Sequence, residues 1–281
     1  MSRKIILLPA FNEEASAEKL LRKIQAVAAT EQWAYLILAC DDGSRDRTGE
    51  IMSRLRTELP LEILSHKLNR GLGETVRDLF ERAAEIAESD DIIIRLDCDD
   101  SHEPEHMVSL VAKLEEGFDV VTASRFQPGG GQVGLSAYRA FVSYSANIFL
   151  RVFYGIPNQK EYSCAFRAYR GEIVRRAIAA YGNQFIHLKG LGFTCSIEKL
   201  LKLHLLGARF AEVPFILRYD QKESPSKMVA SVTTLGYLVM TILYYWPWGG
   251  WRSEYRYLRR QIDSGLAEDA SPTRAAQSVN S

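Results

Sequence analysis

The strongest constraint on this chain is a regular alternation, across its first half, of short apolar runs with longer segments of helical periodicity. Five apolar runs are strand candidates: Ile5–Leu8, Tyr35–Ala39, Leu61–Leu64, Ile92–Leu96 and Val120–Ala123. Between them, apolar residues recur at three- and four-residue spacing over Glu13–Ala29, Thr48–Leu59, Glu74–Glu88 and Glu105–Glu116. This rhythm predicts an α/β fold with a mostly parallel sheet and helices on both faces.

Acidic side chains directly follow three of these strands. Glu13 and Glu14 come after the first strand, Asp41 and Asp42 after the second, and Asp97–Asp100 after the fourth. The carboxyl ends of parallel strands meet at one edge of the sheet, where ligands bind in folds of this class. We therefore expect the three acidic clusters to line one site.

Beyond Ser124 the pattern changes. Residues 127–134 are rich in glycine and predict a mobile loop. Further elements are predicted as helices over Ala137–Tyr154 and Ser196–Leu206, and as strands over Cys164–Tyr169 and Phe210–Leu217. The aromatic residues of the first of these helices are expected to lie in the core.

Composition excludes several classes of protein. Lysine plus arginine equals aspartate plus glutamate, 35 each, so no basic field favours nucleic acid as a partner. The four cysteines are scattered without a CxxC pair, which predicts buried thiols in a reducing compartment and neither disulfides nor a zinc site. The residues before Ile5 lead straight into an apolar run too short for a signal peptide, so a cytoplasmic location is predicted.

The tripeptide Asp97-Cys98-Asp99 suits a divalent cation. One or two carboxylates can hold Mg²⁺ or Mn²⁺ and leave coordination positions for substrate phosphates. Such a cation neutralises the charge that develops on a departing nucleoside diphosphate. Because the same tripeptide also occurs in solvent-exposed turns, Asp97 and Asp99 become metal-ligand candidates only together with the surrounding motifs.

Three motifs accompany this tripeptide: Pro9-Ala-Phe-Asn-Glu13, Asp41-Asp42-Gly43-Ser44-x-Asp46-x-Thr48 and Asn69-Arg70-Gly71-Leu72-Gly73. In this order, over roughly residues 3–126, the chain resembles the family 2 inverting glycosyltransferases of the GT-A fold. The resemblance implies that Asp97 meets a nucleotide-sugar donor and that Asp99 meets the metal. It also implies a set of donor-binding residues: Pro9, Phe11, Glu13, Cys40, Asp42 and Cys98.

Motifs in the second half are similar to the dolichyl- or polyprenyl-phosphate mannosyltransferase branch of that family. They are Ser124-Arg125-Phe126, Arg139-x-x-x-Ser143-x-x-x-Asn147, Cys164-Ala-Phe-Arg167-Ala-Tyr169 and Glu212-Val-Pro214. Arg139, Ser143 and Asn147 share one helix face, which can receive a phosphate or can simply meet solvent. The resemblance implies that Arg125 and Arg139 flank a lipid-linked phosphate, with Ser143 assisting.

The chain departs from this branch at three places. Arg218 and Lys227 are expected to close on the donor phosphates, but nine positions separate them where the branch has six. Position 161 is Glu where the family usually has Asp, and Cys98 replaces a small residue. The altered interval leaves the alignment of Arg218 open and can signal a different donor.

An uncharged segment, Met228–Trp251, precedes the C-terminus. A helix over Val229–Trp246 would be about 27 Å long, marginal against a hydrocarbon core of about 30 Å. Aromatic residues crowd its end and basic residues flank both sides, which favours an interfacial helix over a span; a core helix packed on the domain is the alternative. We predict a GT-A domain over 1–222, a membrane-associated helical segment over 223–262 and a disordered tail over 263–281.

These observations predict a metal-dependent hexosyltransferase with Mg²⁺ or Mn²⁺ as cofactor. The donor is expected to be GDP-mannose or a UDP-hexose and the acceptor a polyprenyl phosphate of the dolichyl or undecaprenyl type. The predicted location is the cytoplasmic face of a membrane, peripheral or monotopic. Transfer to a saccharide or other hydroxyl acceptor, with Asp100 as a candidate base, and a non-catalytic GT-A binding subunit are the alternatives.

Overall fold

The computed structural model describes residues 2–222 and 230–244. Nine strands lie in this part of the chain: β1 (Lys4–Ala10), β2 (Tyr35–Asp41), β3 (Leu61–Ser65), β4 (Ile92–Arg95), β5 (Val120–Ser124), β6 (Gly131–Val133), β7 (Arg167–Arg170), β8 (Phe210–Pro214) and β9 (Ile216–Arg218). Its α-helices are α1 (Ala17–Thr30), α2 (Thr48–Leu55), α3 (Leu72–Ile86), α4 (His106–Glu115), α5 (Ala137–Tyr154), α6 (Gly171–Tyr181), α7 (Cys195–Leu205) and α8 (Ala230–Tyr244).

Seven strands form one sheet in the order β3-β2-β1-β4-β7-β5-β8. Only β7 runs antiparallel, between β4 and β5. Alternate residues of the central strands enter two cores, with Ile5 and Ile93 on one face and Ile6 and Ile94 on the other. The predicted mostly parallel sheet with helices on both faces is confirmed, and six strands end at one edge.

The predicted strand Cys164–Tyr169 begins three residues later, at Arg167, as β7. Two further predicted elements differ more from the structure. Residues 127–134 contain β6, which pairs in parallel with β9, and the predicted strand Phe210–Leu217 is broken at Phe215. Phe215 is fully buried, its N–H donates to Ser124 O at 3.0 Å, and its ring packs against Phe166. Burial of this one ring turns the chain out of the main sheet, which hydrophobic periodicity alone does not encode.

Helix α8 packs one face on the domain. Its Thr241 Oγ1 lies 3.1 Å from Tyr154 Oη on α5, and a Cβ atom at Gly236 would lie 2.9 Å from Leu191 O, so glycine permits the close approach. Leu235, Leu238 and Ile242 stay exposed on its other face. None of the helices in residues 2–222 and 230–244 combines the length and apolarity needed to cross a bilayer. The domain boundaries stay predictions, because residues 223–229 and 245–281 lie outside the described residues.

Candidate active site

The loops after β1 and β2 interlock at the carboxyl edge of the sheet. Asn12 N–H donates to Ser44 Oγ at 2.9 Å, and Asn12 Oδ1 accepts from Arg45 N–H at 2.9 Å. Glu13 N–H donates to Thr48 Oγ1 at 2.8 Å. These bonds bring together the two motifs that carry Pro9, Phe11 and Glu13 on one side and Asp42 on the other.

The carboxylate of Asp42 is saturated with donors. Its Oδ1 accepts from His66 Nδ1 at 2.6 Å and from Arg70 N–H at 2.8 Å; its Oδ2 accepts from Asn69 Nδ2 and Gly71 N–H, both at 2.9 Å. A carboxylate offers about four lone-pair positions, so these four bonds use its capacity. Asp42 therefore organises the loop before α3. Any contribution of Asp42 to the expected nucleotide pocket would be made through the position of that loop.

His66, a residue that the sequence interpretation missed, connects Asp42 to α3. Its Nε2 lies 2.9 Å from Asp78 Oδ2 and 3.8 Å from Cys40 Sγ. Burial, and then the charge of Asp42, raise the pKa of the Cys40 thiol to about 12. Cys40 is thus a neutral core thiol behind the expected nucleotide pocket, and all four cysteines are buried free thiols, as predicted.

Buried side chains hold the turn that carries Asp97 through hydrogen bonds. Arg95 Nη2 donates to Asp97 Oδ1 at 2.7 Å, and Asp97 N–H donates to His102 Nδ1 at 3.0 Å. The His102 ring is stacked on Phe166 with centroids 5.2 Å apart, and burial lowers the pKa of His102. His102 therefore acts as a neutral acceptor that shapes the turn, while the Asp97 side chain keeps a quarter of its surface exposed.

Asp99 faces a lysine that the sequence interpretation treated only as a basic residue beside the apolar segment. Lys222 Nζ pairs with Asp99 Oδ2, while Ser101 N–H and Oγ donate to Oδ1 at 3.2 and 2.5 Å. Burial would raise the pKa of Asp99, but the charge of Lys222 and its hydrogen bond lower that pKa to about 2.

Asp100 points away from the two preceding carboxylates. Its side chain is buried and pairs with Lys19 at 2.6 Å and Lys23 at 2.7 Å, both on α1. Its backbone has φ of 58°, the left-handed conformation that aspartate tolerates in tight turns. Asp100 therefore shapes the turn.

Asp97 and Asp99 can hold a metal ion only if substrate supplies further ligands. In residues 2–222 and 230–244, no group of three or more His, Cys, Asp or Glu side chains could hold a metal ion. Asp97 and Asp99 supply hard carboxylate oxygens, and Mg²⁺ commonly uses one or two of these together with substrate phosphates.

Arg218 is turned toward Asp220, at 2.8 Å, and Lys227 lies outside the described residues.

Arg125 is held in a buried ion pair with Glu161. Its Nε and Nη2 donate to the two carboxylate oxygens at 2.7 and 2.9 Å, and Nη2 also donates to Ser163 Oγ at 2.9 Å. Burial alone would lower the pKa of Arg125, but Glu161 raises it. The Glu that replaces the usual Asp at position 161 thus orients Arg125.

The polar face of α5 divides into an anchoring and an accessible part. Asn147 is buried; its Nδ2 donates to Ser163 Oγ at 3.1 Å and its Oδ1 accepts from Tyr162 N–H at 2.7 Å. Ser143 is half-buried one turn earlier, and exposed Arg139 donates to Tyr219 Oη at 3.0 Å. The structure therefore brings Arg125 and Asn147 together around Ser163, with Ser143 and Arg139 on the preceding turns.

A buried cationic group lies behind Asp97. Lys199 on α7 is fully buried, and its Nζ has no hydrogen-bond partner among the described residues. The nitrogen lies 4.2 Å from the centroid of Phe80, and burial, followed by the charge of Arg95, sets the pKa of Lys199 well below its ordinary value. Such a group costs free energy on folding because no hydrogen bond among the described residues replaces those it made to water.

Replacing Lys199 by Met is therefore expected to raise the free energy of unfolding by about 1–3 kcal/mol. Urea denaturation at pH 7 measures this, with Lys202→Met as matched control on the same helix. Lys202 pairs with buried Glu198 at 2.5 Å, so its loss should destabilise. Because the pKa of Lys199 is lowered on folding, wild-type stability rises with pH and the gain from Lys199→Met should shrink toward about pH 10.4. Destabilisation by Lys199→Met would contradict the argument.

The sequence model of glycosyl transferase family 2 matches residues 5–178, more than half of the chain. The chain belongs to this family. The matched range begins in β1, spans all three acidic clusters and ends within α6. Family membership thus rests on the same strands and loops that bring Asp42, Asp97 and Asp99 to one edge of the sheet.

Curated relatives of this family 2 chain include undecaprenyl-phosphate 4-deoxy-4-formamido-L-arabinose transferases. That of Pseudomonas paraeruginosa is 32% identical over 199 residues, covering 69% of this chain and 56% of the relative. That of Salmonella paratyphi A is 34% identical over 169 residues, covering 60% and 49%. The chain spans about half the length of the curated relatives it matches.

Solved structures confirm the GT-A fold. Glucosyl-3-phosphoglycerate synthase from Mycobacterium tuberculosis, in complex with Mn²⁺, UDP and glucosyl-3-phosphoglycerate, has a TM-score of 0.57 at 16% identity, covering 87% of this chain and 80% of that one. The same enzyme with Mg²⁺ and UDP has a TM-score of 0.56 at 17% identity, covering 87% and 79%. At this identity the likeness establishes the fold alone.

Proposed function

We propose that this chain transfers a sugar from a nucleoside-diphosphate sugar to a polyprenyl phosphate at a membrane surface. The observation that carries the proposal is the segment Arg218–Lys222, which contacts Asp99 at one end and, through Tyr219, Arg139 on α5. Asp99, which is expected to bind the sugar donor, and Arg139, which is expected to bind the acceptor, are thus both contacted by one five-residue segment at one edge of the sheet. The names of the curated relatives, which specify undecaprenyl phosphate, support the same acceptor.

The proposed roles follow from the charges at this edge. Asp97 and Asp99 would hold Mg²⁺ or Mn²⁺, and the cation would neutralise charge on the departing diphosphate. A phosphate acceptor already carries a nucleophilic oxygen near neutral pH, so its attack requires no strong general base. Arg139 and Ser143 would position that phosphate. Arg125, whose charge is compensated by Glu161, would hold Ser163 beside them. The buried lysine pairs of Asp100 weigh against its use as the base for a hydroxyl acceptor.

A uridine donor has more support than GDP-mannose, because the similar solved structures hold UDP. The relatives are named for a modified arabinose, a pentose, whereas the sequence predicted a hexose. The proposal therefore names a UDP-sugar as the class of donor. Both sugar sizes belong in the test.

The outer face of α5 supports action at a lipid surface. Its exposed large apolar side chains are Tyr138 (77%), Phe141 (69%), Tyr144 (54%), Ile148 (47%) and Val152 (73%). The expectation that the aromatic residues of Phe141–Tyr154 lie in the core is wrong for Phe141 and Tyr144 and is confirmed for Phe149, Phe153 and Tyr154. At 100° per residue, the exposed side chains lie opposite the face that carries Arg139, Ser143 and Asn147. An apolar face turned outward and a polar face turned inward suit a helix lying at a bilayer surface, with the phosphate-binding residues beneath it.

The test is transfer of radiolabelled sugar by the full chain in vesicles with and without undecaprenyl phosphate. UDP-glucose, UDP-4-deoxy-4-formamido-L-arabinose and GDP-mannose are compared, each with Mn²⁺. We expect lipid-linked product from a UDP-sugar only in vesicles that contain the acceptor. Product on a free saccharide in lipid-free buffer would replace the acceptor assignment, and failure of every donor to react would favour a binding subunit.

A further inference from the structure

Lys222 places its ammonium group where the sheet edge concentrates negative charge. Besides its ion pair with Asp99, it experiences the charges of Asp97 and Glu13. The side chains of Lys222 and Asp99 are only 12% and 10% exposed. Water screens this pair poorly, so it is stronger than an ordinary surface ion pair.

The backbone delivers this lysine through specific contacts. Residues 219–222 follow β9, whose last residue, Arg218, donates its N–H to Ser101 O at 3.2 Å, two residues beyond Asp99. Gln221 Nε2 then donates to Glu103 Oε1 at 3.2 Å. These hydrogen bonds hold the segment against the turn that carries Asp99. They place Lys222 beside the Asp99 carboxylate.

We propose that Lys222 is the resident counter-ion of Asp99 and competes with a divalent cation for that carboxylate. The inference rests on the proposed function, which assigns the metal to Asp99. An ammonium group and a divalent cation repel each other strongly when both contact one carboxylate. Lys222 must therefore withdraw when a cation binds there. Breaking the ion pair of Lys222 makes the free energy of metal binding less favourable. Metal binding is therefore coupled to movement of residues 218–222.

The competition is tested by Mn²⁺ binding to the full chain in the presence of UDP, followed by the electron paramagnetic resonance signal of free Mn²⁺ and corrected for the Mn²⁺ that UDP binds without protein. Lys222→Met removes the competing charge and is expected to tighten Mn²⁺ binding at least about tenfold. Lys222→Gln, which keeps a polar side chain, should act in the same direction. Lys19→Met is the matched control: it makes the same change in net charge beside Asp100 and should leave the affinity close to that of the wild type.

Mn²⁺ affinity that is unchanged or weaker in both Lys222 variants would overturn the inference, as would the absence of Mn²⁺ binding in every variant. Equal tightening in Lys19→Met would also overturn it, because the effect would then be general charge. The sugar-transfer assay on the wild type separates the two proposals. Transfer with unchanged Mn²⁺ affinity in the variants removes only the competition, whereas tightened affinity without transfer removes only the function.

Discussion

Asp99→Asn is expected to lower the rate of sugar transfer by about 10³-fold, the largest effect of any single substitution in this chain. The amide keeps the shape of the side chain but removes the charge that would hold a divalent cation against the donor diphosphate. The charge of Lys222 lowers the pKa of the wild-type carboxylate, which favours its ionised form. Transfer from the UDP-sugar to polyprenyl phosphate in vesicles, and Mn²⁺ binding in the presence of UDP, measure the two consequences.

Asp100→Asn is the matched control, because it removes an adjacent buried carboxylate of the same turn. Asp100 pairs with Lys19 and Lys23, so its loss should cost stability while Mn²⁺ affinity in the presence of UDP stays that of the wild type. Circular dichroism and urea denaturation show whether each variant is folded. Wild-type transfer and wild-type Mn²⁺ binding in a folded Asp99→Asn protein would rule out the assignment of the metal to Asp99.

Glu161→Gln is expected to reduce the free energy of unfolding by about 3–5 kcal/mol, because it leaves the buried guanidinium of Arg125 without its counter-charge. The Glu161 side chain is fully buried and Arg125 is only 8% exposed. Ser163 and Cys164 N–H also donate to the same carboxylate, at 3.1 and 3.0 Å. Urea denaturation at pH 7 measures the loss. Glu161→Asp, which keeps the negative charge, should lose less.

A double variant separates the cost of an unpaired charge from general damage to the core. Arg125→Met with Glu161→Leu removes both charges and should be more stable than Glu161→Gln. Equal or greater destabilisation in the double variant would contradict the ion-pair argument.

The same pair predicts a pH dependence. Burial would raise the pKa of Glu161, but Arg125 overrides this and lowers it. The stability that ionised Glu161 contributes is therefore complete above its ordinary pKa of about 4.3 and is lost as pH falls through the lowered value. The stability difference between wild type and Glu161→Gln should stay constant near neutral pH and shrink in acid. A constant difference down to acid pH would contradict this assignment.

Local patterns were sufficient for the sheet and for the edge at which the site lies. The runs at Ile5, Tyr35 and Ile92 predicted parallel strands because buried β-strands are continuous apolar stretches, and each acidic cluster stands directly after its strand. The antiparallel placement of β7 between β4 and β5 was beyond such reasoning. A four-residue run has the same pattern in either direction, and its neighbours are fixed only when the whole sheet packs.

The sequence by itself determined the residue types of the site: the carboxylates after β4, the motifs after β1 and β2, and the four-residue spacing on α5. Only the tertiary structure decided which partners those side chains contact. It placed Lys222 on Asp99, four donors on Asp42 and Glu161 on Arg125, and it buried Asn147 against Ser163 and Tyr162. The physical reason is that motif spacing fixes positions along one strand or helix, whereas hydrogen bonds and ion pairs join segments up to 123 residues apart.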